Sequence, residues 1–167
     1  MESKQSLLKN AMIKDQERAR SEQMLALTIE LKKESDRAVA VLAAGYLDHL
    51  LGDLIASKMA IKPDKVEELL YRKGHGPLGS FSARIDMTYC LGFLNENEYK
   101  DLHRIRDIRN DFAHKLIGLS FKTQNIADRC RALKGAQVGG QPSSARECFR
   151  KAAIRLMVDL ILRIQNS

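Results

Sequence analysis

The feature that most constrains the fold is the stretch 36–60, which is apolar on nearly every side. It reads DRAVAVLAAGYLDHLLGDLIASKMA, and its apolar residues leave little room for a polar face. A helix with one face in water does not have this pattern. Ser35, which comes directly before it, is a favourable N-cap residue. The stretch therefore predicts the central helix of a core that the other segments cover.

The rest of the chain also follows the helical period, and proline and glycine residues separate its segments. The one strand candidate is the short run LIGLSFKT, residues 116–123. We therefore predict an all-α fold, an up-and-down helical bundle of about five to six helices. Residues 1–30 are expected to form an N-terminal helical extension, and residues 31–167 the helical domain. Besides the central helix, the predicted helices span 6–34, 63–73, 82–93, 96–117 and 145–164.

The composition of the chain indicates the cellular compartment of the protein and the class of partner that it binds. Among the 167 residues no apolar run reaches the roughly 20 residues of a membrane span, and the N-terminus is too charged for a secretory signal. We therefore expect a cytoplasmic protein with no membrane partner. The net charge of +7 favours an anionic partner, nucleic acid above all. The absence of Trp and the 5% aromatic content argue against a platform that stacks single-stranded bases.

The sequence carries no strong metal or cofactor pattern. Cys90, Cys130 and Cys148 are odd in number, widely spaced and without a CxxC pair. They are expected to be reduced thiols in the core. His49 and Asp53 have the spacing of a metal-binding pair on a helix, but no third ligand accompanies them. We predict neither a metal nor a cofactor.

The segment HRIRDIRNDFAHKL, residues 103–116, is the most charged part of a predicted helix. On a heptad wheel Arg109 lies at a core position, where an apolar residue would be expected. A buried guanidinium requires a partner, since leaving it unpaired costs several kcal/mol, roughly. The partner could be a carboxylate such as Asp48 or Asp53, a group of carbonyls, or an anionic ligand. The seam around Arg109 is predicted to consist of Leu102, Ile105, Phe112 and Leu116.

A polar stripe beside this seam suggests chemistry on RNA. His114 could transfer protons to or from ribose oxygens, Arg109 could hold the phosphate, and Asn110 could orient the substrate or the imidazole. One histidine cannot easily serve as both acid and base, but two copies in a symmetric dimer would supply both roles. Three further residues of the segment are expected to guide the phosphate backbone: Arg106, His103 and Lys115.

The string RNDFAH resembles the R-x4-6-H signature of HEPN-domain ribonucleases. The wider order SDRAVAVLAAGYLDHLL, GPLGSFSARIDMTYCLGFLNENEYKDLHRIRDIRNDFAH and ARECFRKAAIRLMVDLIL is similar to the mannitol operon repressor (MltR) family and its DUF4145-like relatives, which are grouped with HEPN-like folds. The resemblance covers roughly residues 30–165. It implies an all-helical, usually dimeric protein, with the motif of Arg109 and His114 in a cleft at the dimer interface.

Two functions follow as expectations. The leading one is a HEPN-type, metal-independent endoribonuclease, toxin-like or defence-like, that cleaves RNA at the catalytic set of Arg109, His114 and Asn110. The alternative is a non-catalytic MltR-like transcriptional regulator that acts through protein contacts, since no short helix-turn-helix can be picked out for reading DNA. The expected partners are RNA, a second copy of the chain, and a protein such as an antitoxin or a regulator.

Overall fold

The structure is a computed structural model, and it describes residues 4–59, 63–71, 76–115, 117–137 and 144–166. Within these ranges the chain is all-α, as predicted, with no strand; the described part of the strand candidate, residues 117–123, is a loop. The bundle has more helices than the five to six expected. The described helices are α1 (Lys4–Lys33), α2 (Asp36–Lys58), α3 (Pro63–Tyr71), α4 (Phe81–Cys90), α5 (Glu96–His114), α6 (Gln124–Arg131), the 3₁₀ helix η1 (Lys134–Gln137) and α7 (Ala145–Gln165).

The chain divides into two compact units, Met1–Lys33 and Glu34–Ser167. The first unit consists of α1, and the second contains every later helix. The boundary expected after residue 30 lies within α1, so the division into an extension and a domain stays a prediction.

Helix α2 is the central helix of the second unit, as the sequence predicted. The side chain of Ser35 accepts a hydrogen bond from the backbone N–H of Ala38, which caps the helix start. Its apolar side chains pack against α4, α5 and α7, and Leu47, Leu51 and Leu54 are fully buried. Among the described residues, α2 alone is long and apolar enough to cross a membrane. However, 56% of that window is buried inside the protein, as in the core helix of a folded domain.

The start of α2 fixes the directions of its neighbours. The guanidinium of Arg37 donates hydrogen bonds to the carbonyls of Phe112 and Lys115, so the end of α5 meets the start of α2. The carboxylate of Asp36 pairs with Arg146 at the start of α7, at 2.8 Å. Helix α7 therefore begins at the same end of the bundle as α2, and α5 runs in the opposite direction.

The short elements α6 and η1 are those that the sequence did not predict. Helix α6 has eight residues, and its N-cap residue Thr123 makes no side-chain capping bond. The start of η1 depends on a distant residue, because the carboxylate of Asp101 accepts from the backbone N–H groups of Lys134 (3.1 Å) and Gly135 (2.8 Å). Neither element carries a local signal strong enough to predict it from the sequence.

The cysteines follow the sequence expectation in two cases of three. Cys130 and Cys148 are buried, whereas Cys90 is exposed at the end of α4, so its assignment to the core was wrong. Burial raises the pKa of the Cys130 thiol to about 12. This thiol is therefore protonated and unreactive at neutral pH.

Candidate functional site: the polar face and the end of α5

Helix α5 begins with a capping box and buries much of the predicted seam. Asn95 accepts from the N–H of Glu98, and the Glu98 carboxylate accepts from the N–H of Asn95. Of the predicted seam, Leu102, Ile105 and Phe112 are fully buried. Leu116 lies outside the described residues.

Arg109 does not occupy the remaining core position, contrary to the prediction. The fully buried residue at that level of the helix is Ile108, three residues after Ile105 and four before Phe112. Arg109 is half-buried at the rim, and its Nη1 donates to Asn110 Oδ1 at 3.0 Å. The strict heptad was the wrong period, because a helix with 3.6 residues per turn drifts relative to a repeat of 3.5.

The buried arginine of the described chain is Arg84, on α4, which is 6% exposed. Its Nη1 pairs with Asp48 Oδ1 at 3.0 Å, its Nη2 donates to the Leu70 carbonyl at 2.6 Å, and its Nε donates to the Leu78 carbonyl at 2.9 Å. Its guanidinium also lies 5.2 Å from the centre of the Tyr71 ring. Asp48, a partner considered for Arg109, is therefore the partner of Arg84.

Arg84 was detectable in the sequence, although the prediction missed it. It belongs to the buried stripe of α4 together with Phe81, Ile85 and Thr88, at spacings of three and four residues. Burial raises the pKa of the Asp48 carboxyl above its ordinary value, and the charge of Arg84 opposes that rise. Two signals in the sequence could have predicted this pair: Arg84 lies within an apolar stripe of α4, and Asp48 lies within the apolar helix α2.

Two of the three residues predicted to guide a phosphate backbone are bound to α4 instead. His103 Nε2 lies 3.1 Å from Asp86 Oδ1, and Tyr99 donates its hydroxyl proton to the same oxygen at 3.0 Å. Arg106 donates to Ser82 Oγ at 2.5 Å and pairs with Asp107. These contacts hold α4 against α5.

The end of α5 forms a small exposed surface. His114 and Lys115 are exposed, and Ile117, just beyond them, is 91% exposed. The clamp of Arg37 on the carbonyls of Phe112 and Lys115 fixes the backbone beneath. We call His114, Lys115 and Ile117 the α5-end surface. Within the described residues, no hydrogen bond joins His114 to Arg109 or Asn110, so the structure brings together only two members of the predicted catalytic set.

A cavity of about 180 Å³ lies towards the other end of α5, lined by residues that include Asn95, Glu98 and Asp101. At 1.5 Å per residue, Arg109 is roughly 16 Å along the helix from Glu98. In the described ranges no group of three or more His, Cys, Asp or Glu side chains could hold a metal ion. His49 Nε2 lies 3.7 Å from Asp53 Oδ2.

Two curated relatives share a short segment with the chain. They are the mannitol operon repressors of Escherichia coli strain K12 and of Escherichia coli O6:H1 strain CFT073. Each is 41% identical to the chain over 49 residues, which is 29% of this chain. The match spans 24% of each relative, or about a quarter of its length.

A solved structure shares the fold over most of the chain. A chain in the X-ray structure of the MtlR–HPr complex from Escherichia coli superposes with a TM-score of 0.65. The match covers 85% of this chain and 98% of that chain, at 20% sequence identity. At that identity the likeness shows the fold alone.

The prediction of a HEPN-type endoribonuclease that cleaves RNA is wrong, and the alternative of an MltR-like regulator fits better. The matching family model and the curated relatives are repressors of the mannitol operon, not ribonucleases. The R-x4-H string was a misleading signal: Arg109 bonds to its neighbour Asn110, and within the described residues no hydrogen bond joins it to His114. The family model described as "Mannitol repressor" matches residues 37–151, well over half of the chain, and the chain therefore belongs to the mannitol repressor family.

Proposed function

We propose that the protein is a non-catalytic transcriptional regulator that works in the cytoplasm through contacts with another protein. The observation that carries this proposal is the family match over residues 37–151. The arrangement of α5 supports it as well, because Arg106 and His103 hold α4 and α5 together. Residues used in this way are poorly placed to bind a nucleic-acid backbone.

The proposed partner is an HPr-type protein, the kind of protein that accompanies the fold relative in its complex. The α5-end surface is the proposed contact. A protein interface of moderate strength needs an apolar anchor inside a polar rim. Ile117 supplies an anchor that is 91% exposed, and His114 and Lys115 supply the rim. The Arg37 clamp holds the backbone at Phe112 and Lys115, so the end of α5 next to His114 is ordered before a partner binds.

The proposal extends to Arg109 and Asn110 on the preceding turn of α5. Their side chains are joined by a hydrogen bond, and they lie one turn before the α5-end surface along the helix. A guanidinium at an interface rim can bind a carboxylate of the partner. In this reading the residues that the sequence singled out serve recognition of a protein rather than proton transfer.

Titration calorimetry between the full chain and an HPr protein from the same organism tests the proposal. We expect saturable binding by the wild type and a loss of at least about tenfold for Ile117→Asp, because a charge cannot fill an apolar pocket on the partner. His114→Ala should cost less, since rim contacts contribute little.

The matched control is Leu162→Asp. Leu162 is 50% exposed on α7, more than four turns from Arg146, which marks the end of α7 nearest to the α5-end surface. This variant should bind as the wild type does. Binding that falls equally in both variants would argue against the α5-end surface, and no binding by the wild type would overturn the proposed partner.

A homodimer stays a prediction. Sedimentation velocity at working concentration should give a dimer mass for the wild type. A single sedimentation boundary with the mass of a monomer would contradict the predicted homodimer.

A further inference from the structure

We propose that the exposed side of α4 and the first turns of α5 bind an arginine side chain of a partner protein. The residues that form this surface, which we call the aromatic patch, are Asp86, Tyr89, Leu91, Tyr99 and His103. The aromatic patch is separate from the α5-end surface, because Tyr99 precedes His114 by roughly 22 Å along α5. A protein bound here would therefore leave the α5-end surface open to a second protein.

Three rings and one carboxylate hold fixed positions in the aromatic patch. The rings of Tyr89 and Tyr99 stack with their centres 4.4 Å apart, and the His103 ring meets Tyr99 edge-on at 4.5 Å. The Tyr99 hydroxyl donates to Asp86 Oδ1 at 3.0 Å, and His103 Nε2 lies 3.1 Å from the same oxygen. A ligand therefore meets a surface that is ordered before binding, which lowers the entropy cost of the complex.

Tyr89 is the open end of this row of rings. Tyr99 lies between Tyr89 and His103, whereas Tyr89 is 39% exposed. Leu91, at the end of α4, is 41% exposed and extends the apolar surface beside it. Tyrosine is enriched in protein interfaces, since it offers a large ring at a small cost in side-chain entropy. The exposed ring is therefore suited to contact with a protein.

The carboxylate of Asp86 has one oxygen that the fold does not use. Its side chain is 51% exposed, and the contacts with Tyr99 and His103 both reach Oδ1. Among the described residues, no hydrogen bond or ion pair reaches Oδ2. Asp86 and Tyr89 are three residues apart on α4, so the carboxylate and the exposed ring lie on the same side of the helix.

An arginine side chain matches both features at once. Its planar guanidinium stacks on an aromatic ring and donates hydrogen bonds to a carboxylate, whereas the compact ammonium of lysine has no plane to stack. A nucleic acid could stack a base on Tyr89, but Asp86 would repel its phosphates. The best-matched ligand is therefore a protein segment in which an apolar residue beside the arginine contacts Leu91.

NMR titration of the full chain, observed through the rings of its four tyrosines, tests the assignment. The probe is the peptide acetyl-Leu-Arg-Leu-amide, and the matched peptide carries citrulline, which replaces the guanidinium by a neutral urea of similar shape. Tyr89→Phe and Tyr99→Phe identify the two ring signals. We expect both signals to shift saturably with the arginine peptide at millimolar concentration, and the citrulline peptide to bind at least about fivefold more weakly.

Asp86→Asn is the sharpest variant, because asparagine keeps the shape of the side chain and an acceptor for Tyr99 but removes the charge. It should weaken binding of the arginine peptide by about fivefold, the effect of one exposed ion pair. The matched control is Asp128→Asn, which removes the charge of an exposed carboxylate on α6 and should bind as the wild type does.

Three results would overturn the proposal: no saturable shift with the arginine peptide, equal binding of the citrulline peptide, or undiminished binding by Asp86→Asn. Tighter binding of an eight-residue oligothymidylate than of the peptide would also overturn it, in favour of a nucleic acid. The HPr titration on the same preparation separates the two proposals. HPr binding without peptide binding removes only the aromatic patch, and peptide binding without HPr binding removes only the proposed partner of the α5-end surface.

Discussion

Arg84 and Arg109 are two helical arginines in opposite situations. Arg84 is 6% exposed and meets one carboxylate and three backbone carbonyls, whereas Arg109 lies half-buried at a rim with the side-chain oxygen of its neighbour Asn110. The first joins α4 to α2, to the end of α3 and to the loop before α4. The second makes one side-chain hydrogen bond, and its charge opposes the rise in the pKa of the Asp48 carboxyl. The difference teaches that an arginine surrounded by acceptors from its own fold is structural, and that a partly exposed one is a better candidate for recognition.

The largest expected effect comes from breaking the Arg84 cluster. Arg84→Ala removes the ion pair with Asp48 and leaves the carbonyls of Leu70 and Leu78 without their donor. The free energy of unfolding should fall by about 3–5 kcal/mol, the usual cost of removing one partner of a buried pair. Chemical denaturation measures the change. A loss below about 1 kcal/mol would mean that the cluster does not hold α4 in place.

The next largest effect is expected at Asp101. Asp101→Ala leaves two backbone N–H groups of η1 and the Arg104 guanidinium without their acceptor. We expect a loss of about 2–3 kcal/mol, because hydrogen bonds to a charged group are the stronger kind and buried donors are costly to leave unpaired. Asp128→Ala, which removes an exposed carboxylate from α6, is the control. Equal denaturation midpoints for the two variants would contradict the role of Asp101.

These two residues mark the limit of prediction from the sequence. The all-α fold, the cap at Ser35 and much of the α5 seam could be predicted, because periodicity and local capping determine them. The sequence also carried signals for the pair of Arg84 and Asp48, whereas the contacts of Asp101 with η1 could not be predicted, since those partners lie far away in sequence and leave no local signal. Arg109 was placed in the core for a different reason: the wheel used a heptad repeat of 3.5 residues per turn, and a helix of 3.6 residues per turn places Ile108 there instead.

A smaller effect separates two glycines of α2. An added Cβ at Gly52 would lie 2.9 Å from the Tyr71 hydroxyl, whereas one at Gly45 would meet nothing within 4 Å. Gly52→Ala should therefore displace the Tyr71 hydroxyl, and the overpacking cost of about 1–2 kcal/mol should exceed the gain in helix propensity of about 0.5–1 kcal/mol by a small margin. Gly45→Ala should add about 0.5–1 kcal/mol to the free energy of unfolding, because alanine is the better helix former. The melting temperature should fall for Gly52→Ala and rise for Gly45→Ala. A change in the same direction for both variants would contradict the difference in packing.

The smallest effect on stability is expected at the rim of α5. Arg109→Ala should change the free energy of unfolding by no more than about 0.5 kcal/mol, as for a substitution away from buried contacts. It should melt close to the wild type, while Arg84→Ala unfolds at a much lower denaturant concentration. If Arg109→Ala lowers the free energy of unfolding by several kcal/mol, Arg109 has a structural role like that of Arg84.

The most direct test of the central claim is whether the protein binds an HPr-type partner through the α5-end surface. Calorimetry with the full chain should give a saturable complex that Ile117→Asp weakens by at least about tenfold and Leu162→Asp leaves intact. A wild type that shows no heat of binding at any accessible concentration would contradict the assignment of this chain as a regulator acting through that contact.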